Sequence, residues 1–442
     1  MGDKQRLGII VGGGPAPGIN AVIGAATIQA INRGLEVVGL YEGFRWLASE
    51  EFDPQTHSTQ LEIPRVARIH FTGGSLLRTS RANLLDAQRL REHRLVAPDP
   101  VKTARVLKNL RKLGIDLLLT IGGDDTACSA RFVSESAQQG IRVVHCPKTI
   151  DNDLPLPQDV STFGFSTARF IGTQLVKNLM ADSQTTGRWY IVETMGRTAG
   201  WLAMSIGMSA GATLTLIPEE FAPKSKLTHV IDVIEGAILK RRVMGRPDGV
   251  ALLAEGLSYR LGDIEELEAV LGQPVPLDAA GHPRLSEVDL ARVVKNELEA
   301  RFRARGQSIT LVDHELGYEL RSADPSPADM AYCRSLGYFA IELLVEEKAN
   351  QVMVSIVNGN LKPIHFHDMI DPETNRTRTR VVNTGSDMYR VARAYMIRLE
   401  RSDLDNPEML AKLAAVAKTT PEDFAARFDR AATRLASGPP PA

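Results

Sequence analysis

The feature that most constrains this chain is a repeated switch of hydrophobic period. Short apolar runs at Leu7–Val11, Glu36–Tyr41, Leu117–Ile121, Val143–Cys146, Trp189–Glu193, Thr213–Ile217 and Gly249–Ala254 read as buried strands. Amphipathic stretches such as Val101–Leu113 and Phe170–Leu179 lie between them and read as helices. A strand that is apolar on both sides must be covered on both faces. The alternation therefore predicts an α/β fold, with a parallel sheet between layers of helices. In such sheets ligands bind beyond the carboxyl ends of the strands, so the loops there are where chemistry is expected.

The 442 residues suffice for two or three domains. A formal net charge of -1 argues against a nucleic-acid coat or a polybasic membrane anchor, while leaving room for a local basic pocket. Cys128, Cys146 and Cys333 are scattered, with no CxxC pair, which fits reduced thiols in the cytosol better than a disulfide frame or a zinc site. The amino terminus lacks the apolar run of a secretion signal, and Gly2 lacks the downstream hydroxyl residue of a myristoylation site. No run approaches the roughly 20 apolar residues of a membrane span. The cytoplasm is the expected location. Residues 257–306 are charged and read as a helical insertion on the outside of a domain, interrupted at Gly272–Pro283. Beyond Pro372 the chain is Arg-rich and then helical, with Met388, Val391, Ala392, Tyr395 and Leu399 at helical spacing. The last residues, Ser437–Ala442, are expected to be disordered.

Three loops carry candidate chemistry. In the first, a strand enters Gly12-Gly13-Gly14-Pro15-Ala16-Pro17-Gly18 and a helical pattern leaves it. Glycines let backbone approach a ligand closely, and a helix N-terminus favours an anion. Pro15 and Pro17 break a dinucleotide fingerprint, and there is no Walker lysine, so a tight strand-to-helix turn fits as well as a phosphate loop. The second loop, Gly122-Gly123-Asp124-Asp125, sets two carboxylates side by side. That is costly unless a metal, a base or water compensates, and a magnesium ion shared with a phosphate chain is the natural partner. A helix N-cap by either aspartate would need no function. The third, Pro147-Lys148-Thr149-Ile150-Asp151-Asn152-Asp153, follows the strand ending at Cys146 and places a cation, a hydroxyl and two carboxylates within reach of one ligand; Asn and Asp also simply favour turns.

Taken together, the loops resemble the phosphofructokinase family, from about Leu7 to Asp371. Further matches follow in order: Gly73-Gly74-Ser75 through Arg81, Gly164-Phe165-Ser166-Thr167-Ala168, Glu193-Thr194-Met195-Gly196-Arg197, Pro218-Glu219-Glu220, Glu255-Gly256 and Leu316-Gly317-Tyr318-Glu319-Leu320-Arg321. The resemblance implies two Rossmann-like parallel-sheet domains, with the active site in the cleft between them, plus a C-terminal helical extension. Residues 1–163 with 320–371 would form the phosphoryl-donor domain, and 164–319 with 372–442 the sugar-phosphate domain. It implies that Asp151 takes the proton from the sugar 1-hydroxyl, that Asp124 and Asp153 manage Mg2+, and that Arg81 and Arg197 steady the transferring phosphoryl. Thr149 would line the same spot and Gly14 leave room for it. Fructose 6-phosphate would be held by Met195, Gly196, Glu255, Tyr318 and Arg321, with Arg188 reaching in from a neighbouring subunit of a homodimer or homotetramer. Where the family often has a second subunit-crossing arginine, this chain has Val312.

The resemblance also bears on the donor. ATP-using members typically carry glycine at the positions of Asp125 and Lys148; a carboxylate and an ammonium there match the pyrophosphate-dependent branch. A carboxylate about 4 Å from a nucleotide α-phosphate would cost up to roughly 4 kcal/mol at an effective dielectric near 20. Lys148 offers a compact charge to a donor that has no nucleoside to anchor it. The implied reaction is reversible transfer from pyrophosphate to fructose 6-phosphate, giving fructose 1,6-bisphosphate and phosphate. Gly24, Ile28 and Met180 stand where ATP-dependent bacterial relatives place basic effector-site residues, so no nucleotide control is expected there. The rival readings are an ATP-dependent or mixed-donor phosphofructokinase, a NAD-kinase or lipid-kinase relative sharing the Gly-Gly-Asp loop, and a catalytically silent regulatory subunit.

Overall fold

In the computed structural model the described residues are 5–433, except 94–95, 138–139, 158, 263–264, 266–267, 270–273 and 276–287. The expected interruption at Gly272–Pro283 lies almost wholly, and the expected disorder at Ser437–Ala442 wholly, outside them. The chain divides into two units. One comprises residues 1–168 and 318–380, the other 169–317 and 381–442. The crossings follow residues 168, 317 and 380, where 163, 319 and 371 were expected, and Tyr318 lies in the first unit.

The first unit is built on one sheet. Its strands are β1 (Arg6–Val11), β2 (Glu36–Leu40), β3 (Ser58–Gln60), β4 (Leu117–Gly122), β5 (Arg142–Thr149) and β6 (Phe163–Gly164), followed late in the chain by Val352–Met353 and Ile364–His365. The order across the sheet is Ile364–His365, Val352–Met353, β5, β4, β1, β2, β3, with β6 paired to the end of β5. The central pairings are parallel, and the two outermost are antiparallel. All of β4 is buried, and one apolar cluster fills each face, which is why its sequence shows no polar alternation. Helix α1 (Ile19–Asn32) follows β1, and α2 (Pro100–Lys112) leads into β4. Asp99 caps α2 by accepting from the N–H groups of Val101 and Lys102, both at 3.0 Å, with Pro100 in the first turn.

The second unit holds a fully parallel sheet. It consists of β7 (Trp189–Thr194), β8 (Leu214–Leu216), β9 (Gly249–Ala254) and β10 (Leu311–Leu316), in the order β10-β7-β9-β8. The edge strand β10 escapes the apolar-run criterion because it carries three polar residues in a row, the exposed His314 and Glu315 and the half-buried Asp313, which pairs with Lys295 at 2.7 Å. The 257–306 segment corrects the expectation of a peripheral insertion. Its described part includes helix Leu290–Ala304, whose Leu290, Val294, Leu298 and Phe302 are wholly buried in this unit's core. Their spacing of four residues makes a continuous inward face.

The C-terminal positions at helical spacing share one helix only in part, over Asp387–Ala394. Ala392 and Leu399 are buried, but Met388, Val391 and Tyr395 are exposed, and the buried aromatic on helix Asp387–Ala394 is Tyr389. The helix ends before Leu399, so the assumed period does not run that far. The following helices pack onto helix Leu227–Val243, whose Glu235 is fully buried and ion-paired to Arg301 at 3.0 Å, to Arg305 and to Arg427 of helix Pro421–Ala432. One carboxylate thus holds cations from two other segments. Removing it takes the ion-pair partner from the largely buried Arg305, while Arg301 keeps Asp232 and Glu297, so Glu235→Ala should cost about 3–5 kcal/mol. Urea unfolding followed by circular dichroism checks this; an unchanged transition would contradict the assigned role.

Candidate active site

In the first unit, three strand ends deliver the predicted loops. β1 hydrogen-bonds across to β4 through Gly12 N–H to Ile121 O at 2.9 Å. Both glycine loops then close on one side chain. A Cβ on Gly12 would sit 2.4 Å from Thr126 Oγ1, and one on Gly122 would sit 2.3 Å from Thr126 Cβ. Thr126 is buried, so glycine is required at both positions by close approach. Gly123, not an aspartate, is the N-cap of helix α3 (Asp124–Ser136), and Asp124 and Asp125 occupy its first turn. The positive end of the helix offsets part of the cost of placing two carboxylates together.

Beneath this loop His145 is fully buried between Thr120 Oγ1, 2.8 Å from Nδ1, and Gly122 O, 3.0 Å from Nε2. A carbonyl only accepts, so Nε2 carries the proton and Nδ1 accepts from the threonine hydroxyl. Burial pushes the imidazole down to about 3, so it stays neutral and acts as a fixed spacer between β5 and the end of β4 that leads into the acidic loop.

Strand β5 runs three residues further than expected. Pro147 lies opposite Gly122, the last residue of β4, and the strand continues by pairing Lys148 with Phe163 and Thr149 with Gly164. Lys148 is buried at 4% exposure, and its Nζ donates to Gly14 O. A Cβ on Gly13, where φ is +82°, would lie 3.0 Å from that Nζ, and one on Gly14 would lie 2.9 Å from Arg321 Nη1. Two cations therefore flank the bare glycine backbone. Arg321 also stacks on the exposed ring of Tyr318, with 4.6 Å from Cζ to the centroid. Ser80 bridges to Gly12 and accepts from Gly13 N–H at 2.8 Å, which leaves the next residue, Arg81, exposed beside the same loop.

Past β5 the backbone has no regular structure among its described residues up to Val160, and hydrogen bonds replace a ladder. Thr149 Oγ1 accepts from Asp151 N–H at 3.1 Å, and Thr149 O accepts from Thr162 Oγ1 at 2.6 Å. Asn152 adopts φ +57°, a conformation asparagine tolerates better than most residues. The loop wraps the Arg380 guanidinium, which donates to the carbonyls of Asn152 (3.2 Å), Leu156 (3.3 Å), Pro157 (3.0 Å) and Val160 (2.7 Å), and to the Asn152 side chain. Burial lowers Arg380 to about 10, with Asp153 opposing the shift, so it remains charged at neutral pH. Asp153 is itself buried, which gives its carboxylate a structural task beside any metal.

The second unit supplies Met195, Gly196 and Arg197 at the carboxyl end of β7. Glu255 Oε2 accepts from the N–H groups of Gly196 (3.2 Å) and Arg197 (3.1 Å). Arg197 has φ +52°, a conformation that costs an ordinary residue roughly 1–2 kcal/mol and is held here by Glu255. A Cβ on Gly256 would lie 2.7 Å from Arg197 O, so backbone closeness requires glycine there, while one on Gly317 would lie 2.8 Å from Met195 Cε, at the movable end of a side chain. Arg188 is not among these residues. It precedes β7 at the other end, about 20 Å away along a six-residue strand, and pairs with Asp182 at 3.8 Å. Val312 lies on β10 opposite Tyr190. Gly24 and Ile28 line a separate cavity of about 380 Å³ in the first unit, beside Arg334 and His70.

Sequence reasoning missed Thr126, His145 and Arg380. The first two sit inside strand and helix patterns that look purely structural. Arg380 ends the run Arg376-Thr377-Arg378-Thr379-Arg380, whose alternation does not say which arginine turns inward.

Phosphofructokinase-fold geometry of this kind meets an independent finding: the phosphofructokinase family profile matches residues 6–344. The chain belongs to that family. It is 50% identical over 427 residues to the pyrophosphate–fructose 6-phosphate 1-phosphotransferase of Thermotoga maritima, covering 96% of this chain and 98% of that one. It is 45% identical over 430 residues to the enzyme of the same name from Naegleria fowleri, covering 96% and 94%. Among solved structures, it superposes on phosphofructokinase from Saccharomyces cerevisiae with a TM-score of 0.58 at 19% identity. That match covers 96% of this chain but spans half the length of the yeast chain, and it speaks to fold alone.

Beside Met195, burial raises the Glu193 carboxyl from 4.5 to about 7, with Asp289 and Glu255 adding to the push and the Ala291 N–H opposing it. The folded state thus holds this proton more tightly than the unfolded chain. Stability from this group is full below about 4.5 and is lost as pH rises through about 7, by up to about 3 kcal/mol. Glu193→Gln should remove that slope. Melting curves from pH 5 to 8 should show the wild type losing ground to the variant, and parallel curves would contradict the assignment.

Proposed function

We propose that this protein transfers a phosphoryl group from pyrophosphate to the 1-hydroxyl of fructose 6-phosphate, giving fructose 1,6-bisphosphate and phosphate, reversibly. The observation that carries this reading is the 50% and 45% identity, over nearly the whole chain, to relatives bearing that activity's name. The first unit supplies a physical reason for the donor. On this reading Asp125 would set a negative charge against a longer phosphate chain, and the buried Lys148, whose ammonium donates to Gly14 O, would offer pyrophosphate a compact cation.

Asp151 is the proposed base, accepting the 1-hydroxyl proton as the sugar oxygen bonds to phosphorus and the bridging oxygen leaves with the second phosphate. A carboxylate of ordinary basicity suffices, because a loose transition state asks more of positioning and charge neutralisation than of proton removal. Arg81 and Arg197 would offset charge on the transferring oxygens, with Thr149 lining the site and Gly14 and the Lys148 ammonium holding the donor. Met195, Gly196, Glu255, Tyr318 and Arg321 would hold the sugar phosphate. Glu255 already spends one oxygen on backbone, so its second task is to fix the Arg197 loop. Asp124 and Asp153 offer carboxylate oxygens, the donor type magnesium takes beside phosphate oxygens. When bound, Mg2+ would neutralise charge on the phosphate oxygens.

No helix among the described residues is long and apolar enough to cross a membrane. A cytoplasmic setting and a homodimer or homotetramer fit this reading, with Arg188 serving a neighbour's site from the far end of β7. Asp151→Ser should lower kcat about 10²- to 10⁴-fold with the fold intact. Lys148→Gly should weaken pyrophosphate use about tenfold or more, the worth of a charged hydrogen bond. Steady-state assays on purified variants check both. Full activity in Asp151→Ser would overturn the mechanism, and unchanged pyrophosphate kinetics in an Asp125→Gly, Lys148→Gly double variant would overturn the donor assignment.

A further inference from the structure

The segment after Asp371 lies beyond the family match, which ends at residue 344, yet it reaches loops carrying proposed catalytic residues. It crosses from the first unit to the second between Arg380 and Val381. On the first side, Arg380 occupies the centre of the Asp151–Val160 loop, donating to four carbonyls and one side-chain oxygen, while its own N–H donates to Asp153 O at 2.8 Å. Among its described residues that loop has no helix or strand, and this one guanidinium holds four of its carbonyls. Buried carbonyls need donors, and a buried cation needs acceptors, so each fixes the other.

On the second side the contacts run through Pro218-Glu219-Glu220, the motif that the proposed chemistry leaves unused. Glu219 Oε1 accepts from Gly200 N–H and from Val382 N–H, both at 2.9 Å. Gly200 ends the turn that follows Arg197 and caps helix Trp201–Ala210. Its missing Cβ would lie 2.6 Å from Glu219 Oε2, so the carboxylate is pressed against this turn. Next to it, Glu220 accepts from the Tyr389 hydroxyl and from Arg398, which is 6% exposed. Arg398 is seated in turn: Lys240 donates to its carbonyl at 2.9 Å, and Ile397 N–H donates to Thr213 O at 2.8 Å.

We propose that residues 380–398 form a positioning strap for the catalytic loops, with Arg380 setting the loop that bears Asp151 and the Tyr389–Arg398 pair, through Glu220 and Glu219, setting the turn that bears Arg197. These are positioning residues, and the proposal rests on the roles given above to Asp151 and Arg197. A residue that only stabilises the fold would change melting temperature without changing turnover of the folded enzyme. Displacing a reacting group by about 1 Å costs up to about 100-fold in rate.

The test uses Arg380→Met, Arg380→Lys, Glu219→Ala, Glu219→Gln and Tyr389→Phe in the full chain, with amide hydrogen exchange and steady-state kinetics on each. Exchange should accelerate over 152–160 in Arg380→Met and over 196–200 in Glu219→Ala and Tyr389→Phe. In each case kcat should fall by about tenfold or more, with smaller changes in KM. Glu219→Gln keeps an acceptor and should restore most of the rate, and Arg380→Lys keeps the charge for the case in which the methionine variant does not fold. Unchanged exchange in these loops would overturn the proposal, as would accelerated exchange with unchanged kcat. Full activity in Asp151→Ser would instead defeat the functional reading, and the exchange pattern would still report on the strap.

Discussion

The first unit depends on two bare glycine backbones closing on one buried threonine side chain. Gly12 and Gly122 both rest against Thr126, and a methyl group on either would overlap it. That contact brings the ends of β1 and β4 together and leaves the glycine backbone open to Lys148 on one side and Arg321 on the other. His145, neutral and buried, keeps the Gly122 carbonyl at a fixed distance from β5. The acidic loop is thereby held from beneath by a group that does not titrate in the working range, and its two carboxylates sit at the helix end that favours them.

Much of this was legible in the sequence. Buried strands announce themselves because both faces are apolar, and the glycine, acidic and Thr-Ile-Asp-Asn-Asp loops follow them directly. Legibility fails where a residue's environment is set by segments far along the chain. β10 is a polar edge strand that no apolar run marks, and Val352–Met353 is too short to show a period. The 257–306 segment looked peripheral because its charges dominate the composition, whereas Leu290, Val294, Leu298 and Phe302, spaced four apart, are buried in the second unit's core. Beyond Asp371, charge density hid Arg380, Tyr389 and Arg398, each of which turns inward to a partner at least 160 residues earlier in the chain.

Site residues divide in the same way. Lys148, Gly14 and Arg321 are brought together in the first unit, and Met195, Gly196, Arg197 and Glu255 in the second. Arg188 stands apart at the opposite end of β7, where a strand-length separation keeps it from its own chain's Arg197. Glu255 shows how one carboxylate can be read for chemistry and yet spend an oxygen on holding a strained turn. Arg197 pays for its left-handed backbone with that contact, and the strain places its side chain where an ordinary extended residue would not.

The central claim is that Asp125 and Lys148 select a donor with two phosphates. Comparing initial rates of fructose 6-phosphate phosphorylation with pyrophosphate and with ATP, at matched free magnesium, tests it most directly. The account predicts a kcat/KM for pyrophosphate higher by about a hundredfold or more, the scale of one misplaced charge near a phosphate. Equal or better use of ATP would contradict it.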